Sequence, residues 1–101
     1  MLESAYEAVL VHVLTENGLD VKRQVVLPII FGGIELNAGY RLDLLINDLV
    51  IIEIKSVEII APVHHNQLLT YLKLSGVKQG ILVNFNTANI IDSIYREANG
   101  L

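Results

Sequence analysis

The sequence predicts a single α/β domain in which helices pack on a mixed β-sheet. Two segments, 2–17 and 64–74, carry apolar residues at the spacing of an amphipathic helix. Three β-rich runs separated by turn residues lie between them, and a short apolar strand follows the second helix. The connections are too short to hold another domain, so we expect one domain over residues 1–101.

The first half of the chain indicates a helix followed by a meander of strands. Asn17-Gly18 is expected to end the helix, with Gly18 in the left-handed cap position. The β-rich run Val21–Phe31 contains Pro28, which marks a sheet edge or a bulge. Gly32-Gly33 then predicts a tight hairpin turn.

Two further strands, a helix and another strand are expected next. The chain resumes the sheet over 34–46, turns at Asn47-Asp48, and continues as a strand over 49–57. Ser75-Gly76 ends the second helix, and a buried strand follows over 80–85. A last helix is predicted to begin at a capping threonine and to bury four residues: Thr87, then Ile90, Ile91, Ile94 and Tyr95.

Composition and charge exclude several classes of protein. The chain has no cysteine, so disulfides and thiolate metal sites are excluded, and a cytoplasmic location is expected. No apolar stretch is long enough for a membrane span, and no signal peptide is visible. The net charge of −4 predicts weak binding to nucleic acid unless metal ions or a second subunit help. The apolar run Val25–Phe31 in a chain that is 52% hydrophobic favours a homodimer.

Charged residues interrupt the most apolar strand, in the stretch "IIEIK" at 51–55. Because side chains alternate along a strand, Glu53 and Lys55 share one face, while Ile52 and Ile54 share the other. Burying either charge alone would cost several kcal/mol, so a compensating group is expected. One interpretation is a simple ion pair that satisfies the sheet, and the alternative is a functional site.

The functional interpretation depends on the turn before this strand. A two-residue turn at Asn47-Asp48 would place Asp43 opposite Ile52, with its side chain on the face away from Glu53. A three-residue turn would place Asp43 directly opposite Glu53. Two facing carboxylates repel unless a cation lies between them, and Mg²⁺ prefers such oxygen ligands. Lys55 would then orient a water molecule or stabilise charge on a phosphate.

Several stretches resemble the GxxExxY family of the PD-(D/E)XK nuclease superfamily. They run over nearly the whole chain in the family's order: "ESAYE" at 3–7, "YRLDLLI" at 40–46, "IIEIKSV" at 51–57, "HHNQLLTYLKLSG" at 64–76 and "GILVNFN" at 80–86. The resemblance implies a restriction-endonuclease-like αβββαβ core with an acidic site on the second and third strands. It also implies a nuclease that uses Mg²⁺ or Mn²⁺.

The resemblance assigns roles to individual residues. Asp43 and Glu53 match the metal-binding carboxylates, the carbonyl of Ile54 would be a further ligand, and Lys55 matches the motif lysine. On the following helix, Gln67 and Tyr71 match a Gln-x-x-x-Tyr signature. They lie one helical turn apart and could reach the site, or they could simply serve the core and a strand end. A first-helix glutamate, Glu7, is expected to join the metal site, whereas Glu3 is expected to be a solvated first-turn acid.

Other possibilities stay open at this point. The chain begins inside the family's N-terminal motif, so the family's N-terminal segment is expected to be missing. That expectation and the acidic charge keep a second function open, a non-catalytic binding or interaction module with the nuclease fold. His64 and His65 either begin a helix or act as a ligand or general base.

Overall fold

The computed structural model describes residues 3–85 and 93–99, except for the side chains at positions 29, 31 and 36–38. Two helices and five strands occur in this part of the chain, in the order α1 (Glu3–Glu16), β1 (Val21–Phe31), β2 (Ile34–Ile46), β3 (Val50–Lys55), α2 (Pro62–Ser75), β4 (Gln79–Asn84) and β5 (Ile94–Ala98). The five strands form one sheet in sequence order. Strands β3 and β4 are parallel and the other neighbours are antiparallel. The structure confirms the predicted mixed sheet flanked by helices.

Both faces of the sheet are covered, which explains the apolar sequence of β3. Ile51 belongs to a cluster on the face that α2 covers, together with Leu68 and Leu72 of that helix. The next residue, Ile52, belongs to a second cluster on the face that packs against Leu10 of α1. Side chains alternate along a strand, so the central strand must be apolar on both sides.

The predicted turns are confirmed by the backbone. Gly18 has a φ of 81° after α1, as a left-handed cap requires, and Gly32 and Gly33 have φ values of 59° and 79° in the β1–β2 hairpin. Asn47 and Asp48 also have positive φ, and Ile46 pairs with Val50, so the β2–β3 turn contains three residues. This odd turn length is the one that the functional interpretation needs.

Helix α2 connects the two parallel strands. It begins at Pro62, two residues before the predicted start, because proline fits the first helical turn without losing a hydrogen bond. It ends at Ser75 and is capped by Gly76, whose φ is 76° and whose N–H donates to the carbonyl of Leu72. Within the described residues, no helix is long and apolar enough to cross a membrane.

In strands β1 and β2, the regular alternation of side chains between the two faces of the sheet is broken at one point. Leu42 packs in the cluster under α2, whereas Leu44 packs in the cluster under α1, although residues two apart in a regular strand share a face. The residue between them is Asp43. In β1 the register places Gln24 opposite Asp43, and Gln24 has a φ of 50°. The polypeptide therefore departs from regular alternation where the candidate site lies.

The predicted last helix is wrong for Ile94 and Tyr95, which belong to strand β5. Thr87, Ile90 and Ile91 lie outside the described residues. Strand β5 pairs antiparallel with β4, from Val83–Ile94 to Gln79–Ala98. Without β5, the backbone N–H and C=O groups along that side of β4 would lack hydrogen-bond partners in the sheet. The hydrogen bonds gained by pairing with β4 outweigh the local preference for a helix.

Candidate metal-dependent nuclease site

Asp43 and Glu53 lie together at one end of the β2–β3 pair. The paired register runs from Ile46–Val50 to Leu44–Ile52, so the next positions along the two strands are Asp43 and Glu53. Two hydrogen bonds join the strands here: the N–H of Asp43 donates to Oε2 of Glu53 at 2.9 Å, and the N–H of Ile54 donates to Oδ2 of Asp43 at 2.8 Å. Each carboxylate thus accepts a backbone N–H from the opposite strand.

The Glu53 carboxyl group lacks sufficient compensation for a negative charge. Its residue is 3% exposed. Burial and the nearby charge of Asp43 raise the pKa of Glu53 to about 8, against which the N–H of Asp43 and the charge of Lys55 act only partly. A cation between the two carboxylates would reverse this balance. The available donors are oxygens, which suit Mg²⁺ or Mn²⁺.

A chain of hydrogen bonds connects Lys55 to helix α2. Nζ of Lys55 donates to Oε1 of Gln67 at 3.0 Å, and Nε2 of Gln67 donates to the hydroxyl oxygen of Tyr71 at 3.0 Å. Tyr71 is also part of the core and is 4% exposed. Its burial, together with the charges of Glu53 and Asp43, raises the pKa of its hydroxyl above the usual value of 10.0. The structure therefore brings Lys55, Gln67 and Tyr71 to the same site, on the α2 side.

Helix α1 brings Glu7 to a cavity beside Asp43. The cavity has a volume of about 190 Å³ and is lined by six residues: Glu3, Ser4, Glu7, Gln24, Asp43 and Ile54. The Glu7 carboxylate is already occupied, since Arg23 donates to one oxygen at 3.1 Å and Gln24 to the other at 2.8 Å. Within the described residues, no group of three or more acidic or histidine side chains is arranged to hold one ion.

Glu3 and the histidines have structural contacts. Oε1 of Glu3 accepts the N–H of Ser56 at 3.1 Å. Nδ1 of His64 accepts the N–H of Ala61 at the start of α2, which agrees with a helix-initiating role. His65 lies 2.7 Å from Glu97 of β5, a contact outside the acidic site.

Three residues near the site were not singled out from the sequence. Arg23 and Gln24 hold Glu7, and Tyr40 lies against Tyr71 with a ring-centroid distance of 5.3 Å. A signal for the first two existed: Lys22, Arg23 and Gln24 are three consecutive polar residues in a strand, which interrupts regular alternation. The position of Tyr40 depends on tertiary packing that no local pattern reveals.

The comparisons with known proteins identify the family of the chain. A family model of the PD-(D/E)XK nuclease superfamily matches residues 1–97. The chain belongs to the PD-(D/E)XK nuclease superfamily. Nucleases of this superfamily commonly use divalent metal ions.

One solved structure also supports the fold of this PD-(D/E)XK protein. The crystal structure of a protein named SSO0001 is similar, with a TM-score of 0.70 and 27% sequence identity. The match covers 98% of this chain and 51% of SSO0001, so this chain spans about half the length of that protein. No curated protein matches the sequence.

Proposed function

We propose that this protein is a metal-dependent nuclease that hydrolyses phosphodiester bonds of nucleic acid. The observation that carries the proposal is that Asp43 lies beside the buried Glu53, where the N–H of Asp43 donates to Glu53 and the N–H of Ile54 donates to Asp43. A buried carboxyl group beside a second carboxylate is costly to ionise in a fold, and strongly perturbed groups of this kind cluster at functional sites. Superfamily membership agrees with this proposal.

The residues of the acidic site have different roles in the proposed reaction. Asp43 and Glu53 would hold Mg²⁺ or Mn²⁺, with the carbonyl of Ile54 as a further ligand. When bound, the ion supplies Lewis acidity toward a phosphate oxygen. Glu53 must lose its proton for this role, and the cation and Lys55 both favour its ionised form.

Lys55 would stabilise the negative charge that develops on the phosphate, or orient the attacking water. Its ammonium is held by Gln67, and Gln67 is held in turn by the hydroxyl of Tyr71. Through this chain, α2 fixes the direction of Lys55 before substrate arrives. Gln67 and Tyr71 are therefore proposed to position Lys55.

Glu7 stays a proposed ligand that would have to exchange partners. Both of its oxygens accept hydrogen bonds, from Arg23 and from Gln24. Binding a metal ion through Glu7 would require the release of one of these side chains. The shared cavity with Asp43 and Ile54 supports this proposal.

The Asp43→Asn variant should lose at least about 100-fold of Mg²⁺-dependent cleavage, because even residues that only support a metal ligand contribute 10- to 100-fold. Asparagine retains an oxygen that can accept the N–H of Ile54, so the fold should persist. Cleavage is measured on single-stranded and duplex DNA and RNA, with Mg²⁺ and with EDTA.

Asp48→Asn is the matched control, since Asp48 lies in the adjacent turn with a 63% exposed side chain. It should cleave at the wild-type rate. Equal activity of Asp43→Asn and wild type, or cleavage in EDTA, would contradict the mechanism. A wild-type protein with neither cleavage nor saturable binding at millimolar Mg²⁺ would favour the non-catalytic module instead.

We further propose that this protein is a member of the GxxExxY family and that it is located in the cytoplasm. We also propose that it forms a homodimer. Apolar residues remain open to solvent on the β1–β2 hairpin, where Ile30 is 71% exposed and Ile34 is 64% exposed. A second copy would cover them. Sedimentation at micromolar concentration should give twice the mass of the 11.2 kDa chain, and Ile30→Lys should shift the protein to a monomer. A wild-type monomer at this concentration would contradict the dimer.

A further inference from the structure

A second pocket lies on the α2 side of the site, next to Lys55. Its volume is about 440 Å³, and Tyr40 of β2 faces the first turns of α2 across it. This volume lies within the range of about 300–1,000 Å³ that is typical of small-molecule sites, and it suits one nucleoside. Gln67 and Tyr71 line it as well, so the Lys55 hydrogen-bond chain forms part of its wall.

Tyr40 provides an aromatic surface in this pocket. The residue is 40% exposed, although its ring lies against the buried ring of Tyr71 at an angle of 57°. Tyr71 belongs to the core and is anchored there, so Tyr40 has a rigid support. An exposed aromatic ring that is held rigidly is a suitable platform for stacking by a nucleobase.

Polar groups stand beside this aromatic surface. Asn66 and Thr70 line the same pocket, one helical turn apart and exposed to solvent. The amide of Asn66 can both donate and accept, which matches the mixed donors and acceptors on the edge of a base. The hydroxyl of Thr70 donates to the backbone carbonyl of Asn66. This bond does not use the side-chain amide of Asn66, which is therefore available to a ligand.

The charge of the pocket favours an unpaired base over a duplex. Among the described residues that line it, Lys55 is the one with a full positive charge, and the chain has a net charge of −4. Duplex binding depends largely on neutralising many phosphates, which one lysine does not provide. In a duplex the faces of the bases are also stacked and cannot reach Tyr40.

From these observations we propose that the pocket between Tyr40 and α2 binds an unpaired nucleobase beside the phosphate held at Lys55, so that single-stranded nucleic acid is the substrate class. The inference rests on the proposed nuclease function for the position of that phosphate. The stacking surface itself is independent of metal.

The test is binding of a fluorescently labelled pentanucleotide, as DNA and as RNA, measured by anisotropy in EDTA so that no metal-dependent cleavage occurs. Tyr40→Ala should weaken binding about 5- to 100-fold, as expected for the loss of one base–aromatic stack. Tyr40→Phe, which keeps the ring, should bind within about twofold of wild type. A hairpin that holds the same five nucleotides paired in its stem should bind more weakly than the single strand.

A set of pentanucleotides with one abasic position each gives the sharper result. At one position, the missing base should weaken binding as much as Tyr40→Ala does, and combining the two changes should add nothing, because they remove the same contact. Tyr40→Leu, which fills the space without an aromatic face, repeats the test if the alanine variant fails to fold. Additive losses at every position, or a paired hairpin stem that binds as tightly as the single strand, would overturn the inference.

The outcome is separable from that of the nuclease proposal. Loss of cleavage in Asp43→Asn bears on the metal mechanism, whereas the binding measured in EDTA bears on the pocket. A protein that never cleaves but binds unpaired bases through Tyr40 would retain the pocket and lose the mechanism. A protein that cleaves normally after Tyr40→Ala, with unchanged binding, would retain the mechanism and lose the pocket.

Discussion

Glu53→Gln is expected to make the metal-free protein more stable at pH 8 and to abolish its Mg²⁺-dependent cleavage. Burial and Asp43 raise the pKa of Glu53 from 4.5 to about 8 in the folded protein. Glutamine keeps the shape of the side chain and an oxygen for the Asp43 N–H, but it cannot ionise. The substitution therefore removes a group that is costly to ionise in the fold and that we propose holds a cation.

The direction of the pH dependence follows from proton binding. Between pH 4.5 and about 8, the unfolded chain has lost the Glu53 proton while the folded protein retains it. The unfolded state binds fewer protons, so the free energy of unfolding falls as the pH rises through this window and levels off above it. This contribution is on the order of a few kcal/mol at pH 8. In Glu53→Gln it is absent.

Urea unfolding at pH 5, 6, 7 and 8 in EDTA measures this effect. The wild-type free energy of unfolding should fall more steeply with pH than that of Glu53→Gln, and the two should differ most at pH 8. Glu58→Gln, which changes an exposed carboxylate, is the control and should follow the wild type. Added Mg²⁺ should stabilise the wild type and leave Glu53→Gln unchanged. Parallel pH curves for wild type and Glu53→Gln would contradict this account.

Arg23→Met is expected to destabilise the protein by about 2–3 kcal/mol, because it leaves the Glu7 carboxylate in the interior with one partner. Glu7 is 7% exposed, and its oxygens contact Arg23 and Gln24. The full cost of breaking a buried pair is about 3–5 kcal/mol. We expect less here because the Arg23 side chain is 48% exposed.

Lys22→Met is a matched control on the same strand. It breaks the Lys22–Asp48 pair, whose side chains are 51% and 63% exposed, and should destabilise the protein far less than Arg23→Met because solvent screens an exposed ion pair. In a Glu7→Gln background, Arg23→Met should also cost little, because no buried charge is then left behind. Both are measured by urea unfolding at pH 7. Equal losses in the free energy of unfolding for Lys22→Met and Arg23→Met would show that the burial of Glu7 does not contribute to the effect of Arg23→Met.

Much of the central sheet could be predicted because its signals are local. Alternation placed Ile52 and Ile54 on one face of β3, and the clusters confirm this. The predicted two- and three-residue turns differ only in whether Leu49 belongs to the turn, and the observed register places Leu49 in the turn. Because register is fixed by the turn, the pairing of Asp43 with Glu53 followed from the sequence once that length was known.

The errors and omissions have non-local causes. Ile94 and Tyr95 fit the apolar spacing of a helix with the residues before them, but their pairing with β4 is decided by tertiary structure. The face change at Gln24 requires a positive φ, which a non-glycine residue adopts only where its surroundings enforce it. The pocket at Tyr40 exists because β2 and α2 meet in space, although they are far apart in the sequence.

The crossed hydrogen bonds of Asp43 and Glu53 also affect how the protein fluctuates. At this end of the β2–β3 pair, the side chains of the acidic site accept the backbone N–H groups that bridge the strands. Opening the strands here separates the carboxylates, and separating the carboxylates releases two amide groups in the interior. The site and the middle of the sheet should therefore belong to one cooperative unit of unfolding, unlike the mobile loops from which many binding sites are built.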